Sequence, residues 1–202
     1  MRGACGHDFP SGRSLLPLTR AAERQYRWPG EVMGYRCRTC GDWHDERPTC
    51  FGVELPAAIA DLSDIEMRTR VERSSDQCVL DGKHFFILGN LDEPIRGSAE
   101  HLRWTVWSTL SEANFERAAE LWRTAGRESE PPYFGWLSNQ IPGYPASVNI
   151  KAMVHTSPVG IRPQLRVVEE GHPLYVDQEH GISELRAEEL IHASLGRSGD
   201  AD

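Results

Sequence analysis

The sequence predicts an α+β fold in which helices pack on an antiparallel β-sheet. Several short segments alternate apolar and polar residues and are joined by turns containing Gly, Pro or Asp, which is typical of successive antiparallel strands. Segments with the apolar spacing of an amphipathic helix occur singly between these strands. Because helices do not alternate strictly with strands, the pattern favours α+β over a doubly wound fold.

The first regular elements are a short helix and a hairpin. Ser63 and Glu66 have the spacing of a capping box, which predicts the start of a helix. A strand begins at Cys78, and Asp81-Gly82 predicts a tight hairpin turn. The returning strand, Lys83–Leu91, is apolar on both faces, which indicates a central place in the sheet.

The remaining elements are two helices and four strands. Ser111 is expected to cap a helix whose apolar stripe runs from Phe115 to Trp122, and Ser183 a C-terminal helix with a stripe from Ala187 to Leu195. Gly171-His172-Pro173 is a predicted break. The predicted strands are Leu102–Leu110, Tyr133–Leu137, Val148–Val154 and a last one at Leu165 and Val167.

The composition is that of a folded, acidic protein. The 202 residues include 30 acidic and 22 basic side chains, which give a formal net charge of −8. A general nucleic-acid binder needs clustered Lys and Arg, and none are found. No apolar run approaches the roughly 20 residues that cross a bilayer, and the N-terminus lacks the apolar core of a secretion signal. We therefore expect a cytoplasmic protein without a membrane or nucleic-acid partner.

The chain is expected to contain one domain between two irregular ends. Residues 1–32 combine basic residues with Pro, Gly and Ser and show no period, which predicts a flexible extension and makes Met33 a candidate natural start. Residues 33–196 are expected to form a single α+β domain, of which 33–56 is a cysteine-containing segment. Residues 197–202 are expected to be a disordered tail.

Cys37-Arg-Thr-Cys40-Gly41 is the sharpest local motif. Two cysteines at this spacing, followed by glycine, form a knuckle that offers two thiolates to zinc. We therefore expect the α+β fold to carry a short N-terminal segment that is similar to a zinc knuckle. Plain thiols and a redox pair remain alternatives, although no βαβ pattern surrounds the motif as a redox pair would require.

A tetrahedral zinc ion needs two further ligands besides the knuckle. The candidates are His44, Cys50, Cys78 and His84. We take zinc as the expected cofactor, and the expected metal ligands are Cys37, Cys40, His44 and Cys78.

Two classes of function are compatible with these residues. The sequence has no G-x-S-x-G, H-E-x-x-H, P-loop or G-x-G-x-x-G motif. The main hypothesis is a zinc-stabilised module that binds or regulates a protein partner, and its acidic charge suits a basic partner. The alternative is a metal-dependent enzyme with a site near His44, Glu46 and His84, to which the Trp136–Asn139 segment would also contribute.

The segment Tyr133–Tyr144 is rich in aromatic residues and also contains Ser138 and Asn139. Such residues line recognition grooves, but they also form sheet cores that end in a Pro-Gly turn. Both interpretations stay open, and they differ in whether Trp136 is part of the core.

Longer motifs extend from Tyr35 almost to the end of the chain. They include Tyr35–Gly41, Ser74–Val79, Trp107–Glu116 and Pro131–Asn139. Together these motifs resemble the bacterial family called domain of unknown function 2199, over about residues 35–195. The resemblance implies no activity, since none is assigned to the family.

The chain departs from the family pattern at one position. Members often carry cysteine directly after the glycine that corresponds to Gly89, whereas this chain has Asn90. The resemblance implies that a metal site built with Cys78 and that cysteine has lost a ligand here. Either His44, Cys50 or His84 then replaces it, or the site holds no metal.

Overall fold

The computed structural model of the chain describes residues 47–196 and the backbones of two short strands before them. Contacts between Cα atoms divide the chain into two units, Met1–Pro48 and Thr49–Asp202. The boundary falls within the segment 33–56 that the sequence predicts as cysteine-containing.

In the first unit, two strands form an antiparallel pair. Strand β1 is Tyr35–Arg36 and strand β2 is Trp43–His44, and only their backbones are described. Residues 37–42 between them lie outside the described residues. The same holds for the predicted extension 1–32 and the predicted tail 197–202.

The described part of the second unit combines one eight-stranded sheet with four α-helices. The strands are β3 (Cys50–Gly52), β4 (Val71–Arg73), β5 (Gln77–Leu80), β6 (His84–Pro94), β7 (His101–Leu110), β8 (Tyr133–Trp136), β9 (Lys151–His155) and β10 (Gln164–Val167). The helices are α1 (Asp64–Arg70), α2 (Glu112–Glu120), α3 (Pro173–His180) and α4 (Glu184–Gly196). None of the helices in the described part of the chain is long and apolar enough to cross a membrane.

The sheet is mixed, which corrects the antiparallel sheet expected from the sequence. Its strands follow the order β3-β7-β6-β10-β9-β8, and β4 and β5 extend it beside the start of β6. Strand β3 runs parallel to β7 and β10 runs parallel to β6, whereas the other pairs are antiparallel. Alternation of apolar residues has the same period in both directions, so it does not reveal strand direction. The central place predicted for β6 is confirmed, because β5, β7 and β10 all pair with it.

The sheet curls until its last strand meets β7. Leu137, directly after β8, forms a β-bridge with Ser108 of β7. The approach requires glycine at position 135, because a Cβ atom on Gly135 would overlap the carbonyl oxygen of Thr109. A common interior is therefore enclosed by strands β7, β6, β10, β9 and β8, as in a small barrel. We call the short contact between β7 and residues 135–139, at the end of β8, the seam.

Asn139 completes this seam. Its Oδ1 accepts a hydrogen bond from the amide of Trp107 at 2.9 Å, and its Nδ2 donates to the carbonyl of Leu55 at 2.9 Å. Next to it, the amide of Ser138 donates to the carbonyl of Trp107 at 2.7 Å. One buried side chain thus connects the segment after β8 to both β7 and the chain before α1.

Two apolar cores lie on opposite sides of β6 and β7. The main core lies on the side of Ile87 and Leu91 and includes side chains of α3 and α4, among them Leu174 and Leu190. The second core lies on the side of Phe86 and is joined by Met67 of α1. The buried members of the second core are Ile59, Cys78, Leu80, Phe86, Leu88 and Trp107.

The helix caps predicted from the sequence are confirmed. Ser63 and Glu66 form the reciprocal capping box of α1. Ser111 caps α2, and the Ser183 hydroxyl accepts the amide of Arg186 at the start of α4. These caps are local interactions within a few residues of sequence, so spacing alone identifies them.

Two elements differ from the predictions. The expected break at residues 171–173 instead starts α3, because Nδ1 of His172 accepts the amide of Leu174 and Pro173 occupies the first turn. The strand predicted over Val148–Val154 begins only at Lys151, since Asn149 has a left-handed φ of 65° that turns the chain.

Arg127 holds the connection between β9 and β10. Its buried guanidinium donates to the carbonyl oxygens of Ser157, at 2.6 Å, and Ile161, at 2.7 Å, and it also reaches the carbonyl of Trp122 at 3.0 Å. The guanidinium carbon lies 4.8 Å from the centre of the Trp122 ring. The loop that leads into β10 is therefore tied to the segment after α2.

We expect Asn139→Ala to lower the free energy of unfolding by about 2–4 kcal/mol, because it leaves the buried Trp107 amide and the partly buried Leu55 carbonyl without their partners. Urea denaturation measures this change. Asn114→Ala, on α2, is the control and should stay within about 0.5 kcal/mol of the natural chain. Equal stability of the two variants would show that the seam does not depend on Asn139.

Candidate functional site

Three of the four predicted zinc ligands have no described side chain. Cys37 and Cys40 lie outside the described residues, and His44 is described only by its backbone, where it pairs with Tyr35. Zinc binding by these three residues therefore stays a prediction. Glu46, which belongs to the enzyme alternative, also lies outside the described residues.

Cys78, the fourth predicted ligand, lies inside the second core. Its side chain is surrounded by apolar neighbours, and burial raises the pKa of the thiol to about 11. A zinc ligand must be a thiolate, which these surroundings disfavour. In the described second unit Cys78 acts as a small apolar core residue, and its role as a ligand stays a prediction.

The register of β5 and β6 separates Cys78 from position 90. Cys78 lies opposite Phe86. Asn90 is four residues further along β6, so the Cα atoms of Phe86 and Asn90 are about 13 Å apart. The ligand atoms of one zinc ion lie within about 4 Å of each other, and a cysteine side chain is too short to make up the rest of this separation. A site that uses both positions is therefore incompatible with this register. Asn90 instead accepts a hydrogen bond from Thr105 at 3.0 Å.

Within residues 47–196, no group of three or more His, Cys, Asp or Glu side chains is arranged to hold a metal ion. His84, which the enzyme alternative places beside the metal, is exposed at the start of β6. No observation on the described residues favours the enzyme alternative.

The aromatic segment Tyr133–Tyr144 divides between core and surface. Tyr133, Leu137 and Tyr144 are buried in the main core. Phe134 and Trp136 point the other way and are 43% and 39% exposed. Their rings contact each other edge to face, with centroids 5.3 Å apart. The two interpretations of this segment are thus both partly right, because alternate residues of β8 face opposite sides.

The exposed aromatic pair belongs to a larger surface, which we call the aromatic face. It is formed by the outward side chains of β8, β9 and β10 and by the residue after β10. The register places Met153 between Phe134 and Arg166, and Lys151 beside Trp136. The members of the aromatic face are Phe134, Trp136, Lys151, Met153, His155, Gln164, Arg166 and Val168.

The charge of the aromatic face differs from that of the whole chain. Its members include Lys151 and Arg166 but no acidic residue. Burial, reinforced by the charge of Arg166, lowers the pKa of His155, so this imidazole is neutral at pH 7. The Arg166 guanidinium lies 3.5 Å from the carboxylate of Glu179, and both side chains are exposed. An exposed ion pair of this kind is weak and can exchange.

A second polar arrangement lies in the main core around Glu93 of β6. The side chain is completely buried, and its Oε1 accepts a hydrogen bond from the indole of Trp104 at 3.0 Å. Its Oε2 has no hydrogen-bond partner among the described residues. Burial raises the pKa of Glu93 to about 8, so the carboxyl group is mostly protonated at neutral pH.

Charged groups of α3 and α4 surround this carboxyl group. The hydroxyl of Tyr144, which faces Glu93, donates to Asp177 of α3 at 2.8 Å. Arg186 of α4 lies 3.5 Å from Asp177 and stacks over the Tyr144 ring at 5.0 Å. Burial raises the pKa of Tyr144, and the nearby Glu93 raises it further. The Tyr144 hydroxyl therefore stays protonated. The network connects both helices to the sheet.

The comparisons with known proteins give one match. A family model described as an uncharacterized protein conserved in bacteria, domain of unknown function 2199, matches residues 36–182. The chain belongs to this family. No curated protein and no solved structure matches the chain. The matched residues include Glu93 and the aromatic face, whereas α4 lies beyond the end of the match.

The sequence contains a signal for the burial of Glu93. Leu91, Glu93 and Ile95 follow one another at the strand period, so an acidic residue occupies a position that faces the core. A charged residue between two buried apolar ones in a central strand indicates a buried carboxyl group. No comparable signal separates Phe134 and Trp136 from the core residues of the same segment.

In this member of the domain of unknown function 2199 family, stability should fall as the pH rises from about 5 to about 8. The pKa of folded Glu93 lies above its ordinary value, so its contribution is present in full at low pH and is lost as the pH passes through about 8. Glu93→Gln keeps an acceptor for Trp104 and should flatten this dependence in urea denaturation.

Glu116→Gln, an exposed change on α2, is the control for this experiment and should keep the natural slope. If Glu93→Gln shows the same loss of stability with pH as the control, proton binding by Glu93 is not its cause.

Proposed function

We propose that this chain is a protein-binding module that contacts its partner with the aromatic face. The observation that carries the proposal is the exposed pair Phe134 and Trp136 on β8. Trp is among the residues enriched at the energetic centres of protein interfaces, and apolar groups exposed together often mark contact sites. The main function hypothesis from the sequence, partner binding, thereby acquires a specific surface.

The surface is supported by a rigid frame. Tyr133 and Leu137, which flank the exposed pair, are fixed in the main core, and Gly135 packs directly against β7. The other side of β8 pairs with β9 over its whole length. Because the backbone below the two rings is held on both sides, binding would cost little ordering entropy.

Trp136→Ala should lower the free energy of unfolding by at most about 1–2 kcal/mol, since the ring is half exposed. Trp104→Ala is the matched control, because the same truncation in the buried main core should cost about 3–5 kcal/mol. Thermal and urea denaturation measure both. A loss as large for Trp136 as for Trp104 would assign Trp136 to the core and remove the basis of the proposal.

Partner contact is tested by a photo-crosslinking amino acid at position 134 in bacterial cells. We expect a crosslink to a protein at position 134 that disappears when Trp136→Ala is added. The control places the same crosslinker at Ile65 of α1, which is 70% exposed. Equal products at positions 134 and 65, or none at 134, would contradict the proposal.

A zinc ion in the first unit belongs to the same proposal, as a structural rather than catalytic element. The pairing of β1 with β2 supports it, because this hairpin brings together the two ends of residues 37–42, which contain Cys37 and Cys40. Two cysteines at the C-x-x-C spacing commonly supply two of the four ligands of a structural zinc ion. The bound ion would supply a fixed tetrahedral link among the side chains of this segment.

Protein purified without chelator should contain about one zinc ion per chain, and Cys37→Ser should lose it. Mass spectrometry of metal content measures both, and Cys78→Ala reports in parallel whether Cys78 is a ligand. Absence of metal from the natural chain would end the zinc proposal.

A further inference from the structure

The aromatic face has a charge opposite to that of the chain that carries it. The chain has a net charge of −8, yet the outward side chains of the face include Lys151 and Arg166 and no acidic residue. Two carboxylates border the face: Glu179 lies 3.5 Å from Arg166, and Glu169 accepts the backbone amide of Lys151 at 3.2 Å. The Lys151 ammonium makes no ion pair with another residue of the described part, and Arg166 makes one exposed ion pair, with Glu179 at 3.5 Å. The Lys151 ammonium is therefore open to a partner's carboxylate, and Arg166 can bind one by exchanging its weak, exposed pair with Glu179.

The register fixes how far these cations lie from the aromatic rings. Lys151 is directly opposite Trp136, and Arg166 is two strands away from Phe134. Neighbouring strands are about 4.8 Å apart, so the second distance is about 10 Å. An extended peptide spans about 10 Å in three residues. A peptide that crosses the strands could therefore place an apolar side chain on the rings and a carboxylate on Arg166 about three residues away.

The size of the face also limits its occupant. Strands β8, β9 and β10 have four, five and four residues, of which about half point outward. A stable interface between folded proteins buries about 800 Å² on each side. Three such short strands fit a single extended segment better than a whole domain.

We propose that the aromatic face binds a short acidic peptide segment in which an apolar side chain accompanies Asp or Glu. The inference rests on the proposed function and adds the chemistry of the partner. It differs from the basic partner that the net charge suggests, because charges beyond about 8 Å are screened at physiological salt and the contacts at the face decide. Two cations are also too few for the phosphate contacts that nucleic acids require.

The experiment selects random peptides displayed on phage against the immobilised natural chain, with the Trp136→Ala variant as the subtracting surface. We expect enriched peptides to combine an apolar residue with acidic ones. In fluorescence anisotropy, an enriched peptide should bind about tenfold more weakly to Lys151→Glu and to Arg166→Glu. Lys83→Glu, a charge reversal at the exposed β5–β6 turn, is the matched control and should leave the affinity unchanged.

The possible outcomes separate the two proposals. Failure to enrich peptides that depend on Trp136 overturns the proposed function and with it this inference. Peptides that depend on Trp136 but are basic or neutral, or that ignore Lys151→Glu and Arg166→Glu, overturn the inference alone. Displacement of an enriched peptide by single-stranded oligonucleotides at physiological salt would also overturn it, in favour of a nucleic-acid partner.

Discussion

The contact between the end of β8 and β7 is the constraint on which the rest of the second unit depends. Without it, β8 would be held by β9 alone, and the inward side chains of β8, β9 and β10 would lose the closed interior that they share with α3 and α4. The contact requires a missing side chain at Gly135, a bridge at Leu137 and two hydrogen bonds from Asn139. Small polar and backbone groups therefore control the burial of a large apolar core.

The same contact joins the core to the surface proposed for binding. Side chains of a strand alternate between its two faces, so Tyr133 and Phe134 serve opposite purposes one residue apart. A slip of one residue would exchange their positions and expose the core face. The seam pins the register of β8 and thereby determines which aromatic residues reach solvent. Structure and recognition are thus not independent in this strand.

Local interactions explain what the sequence could predict. Capping at Ser63, Ser111 and Ser183 and the apolar run of β6 depend on neighbours in sequence, and all were predicted correctly. The direction of β3 and β10 depends on the path of the chain between distant elements, which no local period encodes. The start of helix α3 has no such local signal, because His172 is an unusual cap. The sequence indicates that the Tyr133–Tyr144 segment is rich in aromatic residues. Which rings reach solvent is decided by the pairing of β8 with β9, which the sequence alone does not give.

The protonated carboxyl group of Glu93 makes folding a proton-uptake reaction near neutral pH. An unfolded chain at pH 7 carries this group as a carboxylate, whereas the folded chain holds it as a neutral acid between the sheet and two helices. Each folding event therefore withdraws part of a proton from the buffer, and the heat of buffer ionisation enters the measured enthalpy. Calorimetric unfolding enthalpies of this protein will differ between phosphate and Tris although the molecule itself is the same.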